Sequence, residues 1–454
     1  MIIPDRVKMH ELGFDERTST FNEVFTGYTE DQAKEEAGRC LNCKTRPCFS
    51  ACPINNDIPD FIAKIRTGEF EEAYKIIAKK SDFPAICGRV CPHEKQCEGF
   101  CAMGKKYEPI NIGALERFVA ERHGFGDTVT VQTAEKTDKK VAIIGSGPAG
   151  LACAADLIKE GYRVTVFEET LITGGILTYG IPEFRLPKQV VKGYIDDITA
   201  AGAEFKTNVK IGRDITADGL LSQGYSAVFL GSGAGIPKFM RIEGENLNGV
   251  LSASEFLYKI NVDGANTDFA KTFCGKKIIV VGGGNVAMDA SRSALRLGGD
   301  VTVVYRRSVE ELPACRAEVK EAEEEGVKFD LLTNPVKITG DGNSVKAVEC
   351  VKNVLGEPDS SGRRRPIEVK GSNFIKEADF VIMAIGTGYD GTVLTNMSID
   401  TDKWGGIIVN ENGETSKRGA FAGGDVVTGP KTVVAAMKAG KTAAKAIAEF
   451  LETL

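Results

Sequence analysis

Eight of the chain's 12 cysteines fall between Cys40 and Cys101, and this clustering constrains the fold more than any other feature. They form two groups, Cys40-x2-Cys43-x4-Cys48-x3-Cys52-Pro53 and Cys87-x3-Cys91-Pro92-x5-Cys97-x3-Cys101. Closely spaced thiolates ending in Cys-Pro follow the bacterial ferredoxin pattern, in which the fourth cysteine of a run can ligate a second cluster. Thiolates suit iron because they are soft, anionic and hold it in both redox states. Zinc ribbons favour paired Cys-x2-Cys knuckles, and only Cys40 and Cys43 have that spacing. Two [4Fe–4S] clusters are therefore expected rather than two zinc sites. Met1 to His10 mixes charge with apolar residues and offers no signal-peptide core. The expected setting is the reducing cytoplasm, where metal binding is a better use of such cysteines than disulfides.

A chain of 454 residues accommodates about three domains. Its net charge of −6, with no basic stripe, argues against a nucleic-acid partner. No apolar run approaches the ~18–20 residues of a membrane span. The cysteine region reads as helical, with stretches Thr29 to Cys40, capped by Thr29, and Asp60 to Ala78. Polar residues from Gly126 to Lys140 read as a linker. Two strand–glycine–helix–strand units follow, Val141 to Glu168 and Lys277 to Arg307, each a βαβ unit. A charged helix, Glu310 to Gly326, then alternates with short strands as far as Phe380 to Ile385. A last glycine motif and helix occupy residues 420–454. The fold class is α/β.

The first loop comprises Gly145, Ser146, Gly147, Pro148, Ala149 and Gly150. Its glycines permit a tight turn, close approach of a pyrophosphate and helix–strand packing, while the helix N-terminus attracts the phosphates. Its second strand ends at Glu168, placed to accept hydrogen bonds from an adenosine ribose. The second loop comprises Gly282, Gly283, Gly284, Asn285, Val286 and Ala287. At nearly the same offset it has Arg306 and Arg307 in place of an acid. An acid receives a free 2′-hydroxyl, whereas arginine suits a 2′-phosphate, so this unit is expected to bind NADP(H).

With these motifs in order, the sequence resembles a family of FAD and iron–sulfur oxidoreductases. It contains the glutamate synthase small subunit, the N-terminal half of dihydropyrimidine dehydrogenase, and the large subunit of the electron-bifurcating NADH-dependent reduced ferredoxin:NADP oxidoreductase. The resemblance runs from about Val7 to Leu454. It includes Gly174-Gly175-Ile176, continuing to Arg185-Leu-Pro-Lys188, and Phe421-Ala-Gly-Gly424-Asp425. The stretches 104–113, 282–289 and 332–337 look most like the bifurcating subunit.

The resemblance implies a helical two-cluster domain (1–125), an FAD domain in two parts (140–240 and 388–454), and an NADP(H) domain inserted between them (241–387), both nucleotide domains being Rossmann-like. FAD would lie on the first loop, Glu168, Gly174, Gly175, Ile176, Gly424, Asp425, Thr432 and Val433, with Arg185 as a cation near the flavin ring. Ala384, Ile385 and Gly386 would complete the NADP(H) site. One cluster would take Cys40, Cys43, Cys48 and Glu116, the last from a helical segment that carries glutamine in the dehydrogenase. The other would take Cys52, Cys91, Cys97 and Cys101, leaving Cys87 over; spacing alone assigns all eight cysteines. Departures from the family occur at Cys315, after Pro313-Ala314, and at Gly386 to Asp390.

The resemblance also implies hydride exchange between NADPH and FAD and one-electron transfer through the clusters. Partners would be ferredoxin and a second flavoprotein or iron–sulfur subunit handling NAD(H). The alternative is the electron-input subunit of NADPH-dependent glutamate synthase. A non-enzymatic redox sensor is remote, since nothing resembles an output domain, and no barrel for dihydropyrimidine reduction is recognisable. The three histidines, His10, His93 and His123, sit in no catalytic motif and read as surface or packing residues. The purified chain is expected to carry about eight iron atoms and about one FAD. Elemental analysis that found zinc in place of iron would refute this.

Overall fold

The computed structural model describes residues 3–126, 137–360 and 362–454. Most of the stretch read as a linker, residues 127–136, lies outside the described residues. In the cysteine region Thr29 caps the helix Glu30–Gly38. Its hydroxyl accepts the Gln32 N–H at 3.3 Å, and the Gln32 side chain accepts the Thr29 N–H at 2.9 Å, a capping box. The stretch 60–78, expected as one helix, is two, Ile58–Arg66 and Phe70–Ala78. Gly68 between them, at φ +80°, turns the chain where a side chain would be strained. Each helix buries one apolar stripe (Phe61, Ile62 and Ile65; Ala73, Tyr74 and Ile77) against the helix Ile112–His123.

The two glycine loops stand on two five-stranded sheets of the same design. The first has the order 420–422, 225–230, 140–144, 163–167, 204–206, and every pairing is parallel. The second has the order 250–252, 380–383, 277–281, 300–305, 328–331, again all parallel. Strand Ala420–Ala422 joins the first sheet beside Tyr225–Leu230, so the chain leaves that sheet, builds the second and returns. In strands 140–144, 163–167 and 277–281 every residue after an exposed Lys or Arg is buried, and all of these but Thr165 are apolar, because both faces are covered.

Two expectations are corrected. The helix read from Glu310 is Arg316–Glu325, since Pro313 interrupts the pattern after the short turn Val309–Glu311. The short strands read in 327–385 include a 15-residue strand, Ser344–Pro358, which pairs antiparallel with Thr333–Asp341, Arg364–Glu368 and Phe374–Glu377.

Buried charge joins the parts. Asp82, from the cysteine region, accepts from Lys159 and Lys441 at 2.8 Å each; these lie on the first-loop helix Pro148–Lys159 and the last helix Val433–Glu452. Deeper still, Glu325 meets Arg292 at 2.7 Å, Arg296 at 2.6 Å and Arg17 at 3.2 Å. Burial alone would raise the Glu325 carboxyl, but hydrogen bonds from Arg296 and Arg292 bring it down from 4.5 to about 2. A depressed carboxyl stabilises the fold fully above its unfolded value, and the contribution fades as pH falls toward the folded value. Glu325→Ala is expected to cost about 3–5 kcal/mol near neutral pH, because it leaves buried arginines short of a partner. In urea unfolding, the difference between wild type and Glu325→Gln should be constant above about pH 5 and shrink as pH falls toward 2.

Candidate functional site

Between Cys40 and Cys52 the backbone bends sharply. Of the seven non-glycine residues with positive φ among the described residues, Asn42 and Arg46 lie here and Asn55 just beyond Cys52. A left-handed residue costs energy outside glycine, and with these bends Cys40, Cys43 and Cys48 line one cavity while Cys52 lines another.

The cysteines line two cavities. The first, about 360 Å³ including its open mouth, is lined by Cys40, Cys43, Cys48 and Cys101, with Leu41 and Met103. The second, about 320 Å³, is lined by Cys52, Cys87, Cys91, Cys97 and Glu116, with His93 and Val434. Ile58 lines both, so they are back to back. This corrects the expected grouping: Cys101 and Glu116 exchange places. The reason is the course of the chain. Ile112, at the start of its helix, lines the first cavity, and four residues at 1.5 Å rise carry Glu116 about 6 Å on to the second. Cys87, expected to be left over, lines the second cavity too and hydrogen-bonds Cys91.

Both cavities fit an iron–sulfur cluster in donor type and in electrostatics. Among the described residues no three His, Cys, Asp or Glu side chains converge on a point as a single ion needs; the sulfurs stand around a space instead. Burial, then the neighbouring Cys101 and Cys40 sulfurs, push the Cys48 thiol up to about 11. The Cys87 hydrogen bond and burial raise Cys91, and burial with Glu98 and Glu116 raises Cys97. Burial pushes Glu116 up to about 8. Such groups become anions together only when cationic iron displaces their protons.

In the first glycine loop each glycine has its own constraint. A Cβ at Gly145 would strike Gly231 O and one at Gly150 would strike Gly145 O, whereas one at Gly147 would meet nothing within 4 Å. Gly147 thus leaves the helix N-terminus open to a phosphate. Glu168 is buried and accepts from Ser146 N (3.1 Å), Ser146 Oγ (2.6 Å) and Thr170 N (3.0 Å). Ser146 Oγ accepts in turn from Gly174 N at 2.9 Å. Gly175, at φ +56°, packs on Gly147, and Gly424, at φ +79°, packs on Ala149. Asp425, pushed by burial up to about 6, accepts from Lys431 N just before the Thr432 cap of the helix Val433–Glu452. Ile176 is exposed. These segments converge on one loop.

The second loop is built alike. A Cβ at Gly282 would strike Ala384 O, which brings the strand end at 384–386 against the loop, and Gly284 is open. Ala287 is buried and Val286 exposed. The arginine pair divides, however. Arg306 is exposed, while Arg307 is buried, donating to Arg364 O at 2.7 Å and pairing with Asp359 at 2.6 Å. Arg307 is thus committed to the antiparallel layer, and only Arg306 remains for a phosphate.

Arg185, expected as a cation near the flavin ring, is engaged by two carboxylates. It pairs with Asp289 at 2.8 Å and Glu318 at 2.7 Å, on the second-loop helix Asn285–Arg296 and the helix after it. Burial would lower it, but these two carboxylates keep it charged. It belongs to the buried network already described, which sequence reading missed. The signal was present: Asp289, Arg292 and Arg296 share the i, i+3, i+7 spacing of Glu318, Glu321 and Glu325.

A chain built this way is a pyridine-nucleotide oxidoreductase that works through flavin and iron–sulfur clusters. Residues 17–125 match the family model described as dihydropyrimidine dehydrogenase domain II, 4Fe-4S cluster, and residues 139–440 match that of pyridine nucleotide-disulphide oxidoreductase. The glutamate synthase [NADPH] small chain of Escherichia coli K12 is 40% identical over 96% of this chain and 95% of its own length. The NADP(+)-dependent formate dehydrogenase subunit beta of Moorella thermoacetica is 40% identical over 90% of this chain and 60% of its own. The chain belongs to the glutamate synthase small-chain family of FAD and [4Fe–4S] oxidoreductases, and its cofactors are FAD, [4Fe–4S] clusters and NADP(H). In fold, 70% of the chain superposes on 85% of Mycobacterium tuberculosis FprA in complex with NADPH, with TM-score 0.59 at 22% identity. It superposes likewise on 99% of T. acidophilum thioredoxin reductase, with TM-score 0.54 at 19% identity. No helix among the described residues is long and apolar enough to cross a membrane.

The grouping of ligands is testable by EPR of the dithionite-reduced protein. Cys101→Ser should remove the same signal as Cys40→Ser, and Glu116→Ala should alter the same signal as Cys91→Ser. The opposite pairing would restore the grouping first expected.

Proposed function

We propose that the chain is the NADP(H)-handling subunit of a larger electron-transfer complex, with FAD on the first glycine loop, NADP(H) on the second and one cluster in each cavity. One observation carries this reading. The helix Val433–Glu452 starts at Thr432, among the FAD segments, and its Val434 lines the cavity of Cys52, Cys91, Cys97 and Glu116. That cavity is therefore the inner one. The cavity of Cys40, Cys43, Cys48 and Cys101, with exposed Leu41 at its edge, is the outer one, toward a partner.

When bound, the cofactors supply hydride exchange between nicotinamide and flavin and single-electron transfer between flavin and clusters. The protein positions and tunes them. The N–H groups of Gly147 and Ala149 would take the flavin nucleotide's pyrophosphate, and Glu168, whose lone pairs accept from Ser146 and Thr170, would exchange one of those bonds for its ribose. Arg306 takes the 2′-phosphate of NADP(H). Glu116 gives the inner cluster a harder donor than thiolate, which alters its potential. The Arg185–Asp289–Glu318 bridge holds the flavin segment against the nucleotide helix.

The finer reading is the NADP(H) subunit of a bifurcating transhydrogenase, partnered by a flavoprotein that handles NAD(H) and by ferredoxin. The family resemblance of 104–113, 282–289 and 332–337 favours it. The second reading is the glutamate synthase small chain, favoured by the match to nearly the full length of the Escherichia coli protein. Anaerobic co-purification separates them: a second flavoprotein supports the first, a large glutamate-forming subunit the second. Arg306→Ala is expected to weaken NADPH roughly tenfold to a hundredfold, the worth of a charge-assisted hydrogen bond at about 1.5–3 kcal/mol. NADH should be little affected, and Arg307→Ala should lower stability without discriminating the nucleotides. Equal weakening of both nucleotides by Arg306→Ala would show that the 2′-phosphate is read elsewhere.

A further inference from the structure

Cys91 and Cys97 bracket a short turn, His93–Lys95, that faces two ways. On one side His93 lines the inner cavity, and its Nε2 is buried with no hydrogen-bond partner among the described residues. On the other side the turn reaches across the molecule. Lys95 Nζ donates to Pro313 O at 2.8 Å and Ala314 O at 3.1 Å, and Glu94 Oε1 accepts from Arg316 N at 2.8 Å.

Residues 313–316 also hold the second glycine loop. Ala314 N donates to Gly283 O at 3.1 Å, and Cys315 N donates to Asn285 Oδ1 at 2.8 Å. Pro313 stands 4.0 Å from where a Cβ on Gly284 would be. One unbroken set of short contacts thus runs from the nucleotide loop through residues 313–316 to Glu94 and Lys95, and through His93 to the inner cavity. Glu94 and Lys95 are exposed and fill no core, so packing does not account for their reach.

We infer that Glu94 and Lys95 are positioning residues that couple NADP(H) binding to the redox state of the inner cluster. Nucleotide on the second loop bears on residues 313–316. These bear on the turn, and His93, which lines the cavity and carries a buried, unpartnered ring nitrogen, changes its relation to the cluster. Such coupling is reciprocal: if NADP+ binding shifts the inner cluster's potential, reducing that cluster shifts NADP+ affinity by the same free energy. The inference rests on the reading that the second loop binds NADP(H) and that Cys91 and Cys97 hold the inner cluster.

The test uses the full-length holoprotein under anaerobic conditions with NADP+ as probe. An EPR-monitored titration follows the signal that Glu116→Ala alters, with and without NADP+, and calorimetry follows NADP+ affinity with that cluster oxidised and reduced. Wild type is expected to differ about fivefold or more in affinity between the two states. At about 59 mV per tenfold for one electron, fivefold is about 40 mV. The Glu94→Ala/Lys95→Met double variant should keep its iron and still bind NADP+ but lose the difference, whereas Lys95→Arg should retain it. Absence of the difference in wild type, or its persistence in the double variant, overturns the inference. Should NADP+ binding be undetectable, or indifferent to Arg306→Ala, the assignment of the second loop falls and the inference falls with it. Normal, Arg306-dependent binding without a shift leaves that assignment standing and refutes the coupling alone.

Discussion

Glu325 is a carboxylate with no exposed side-chain surface, held by Arg292, Arg296 and Arg17. Much else in the molecule depends on it. Arg17 arrives from the segment preceding the cysteines, Arg292 and Arg296 from the second-loop helix, and Phe184, the neighbour of Arg185, stacks on Arg296 at 3.9 Å. A charge removed from water must be matched, because an unmatched one costs several kcal/mol. The segment that carries Phe184 is held to the second-loop helix by paired charge as well, through Arg185 with Asp289 and Glu318, with little freedom to slide as an apolar seam has.

The same constraint acts in the helical lobe with the opposite sign of need. The acidic groups lining its two cavities are thiols and one carboxyl; burial raises Cys48, Cys97 and Glu116, and the Cys87 hydrogen bond with burial raises Cys91. No arginine answers them inside the cavities. The counter-charge is iron, so cluster assembly and completion of this lobe are linked events. Asp82, gripped by Lys159 and Lys441, then ties the lobe to both chain segments that frame the first loop.

Much of this was legible before any coordinates. The Cys-Pro runs announced clusters, and Gly145, Gly147 and Gly150 announced a nucleotide. Arg306 stands exposed at the strand end where Glu168 stands in the first unit. These signals are local: a thiolate spacing, a positive φ or a strand-end charge is set by residues a few positions apart. Less legible was which partner each group meets. Arg185 and Arg307 are cations in positions that suggest ligands, yet both are engaged by carboxylates distant in sequence, Asp289 and Glu318 for the first and Asp359 for the second.

The sequence by itself determined the cofactor classes, the two βαβ units and the cysteine and carboxylate candidates, because short-range geometry and side-chain chemistry suffice for those. Only the tertiary structure decided how the candidates combine. Cys101 joins Cys40, Cys43 and Cys48, and Glu116 joins Cys52, Cys91 and Cys97, because a helix carries the chain from one cavity to the other over a single turn. Spacing along a chain says how far apart two residues can be, but not which of two neighbouring cavities each will enter. That choice is made by the packing of Ile58 between the cavities and of Ile112 at the foot of the helix, and packing is a property of the whole fold.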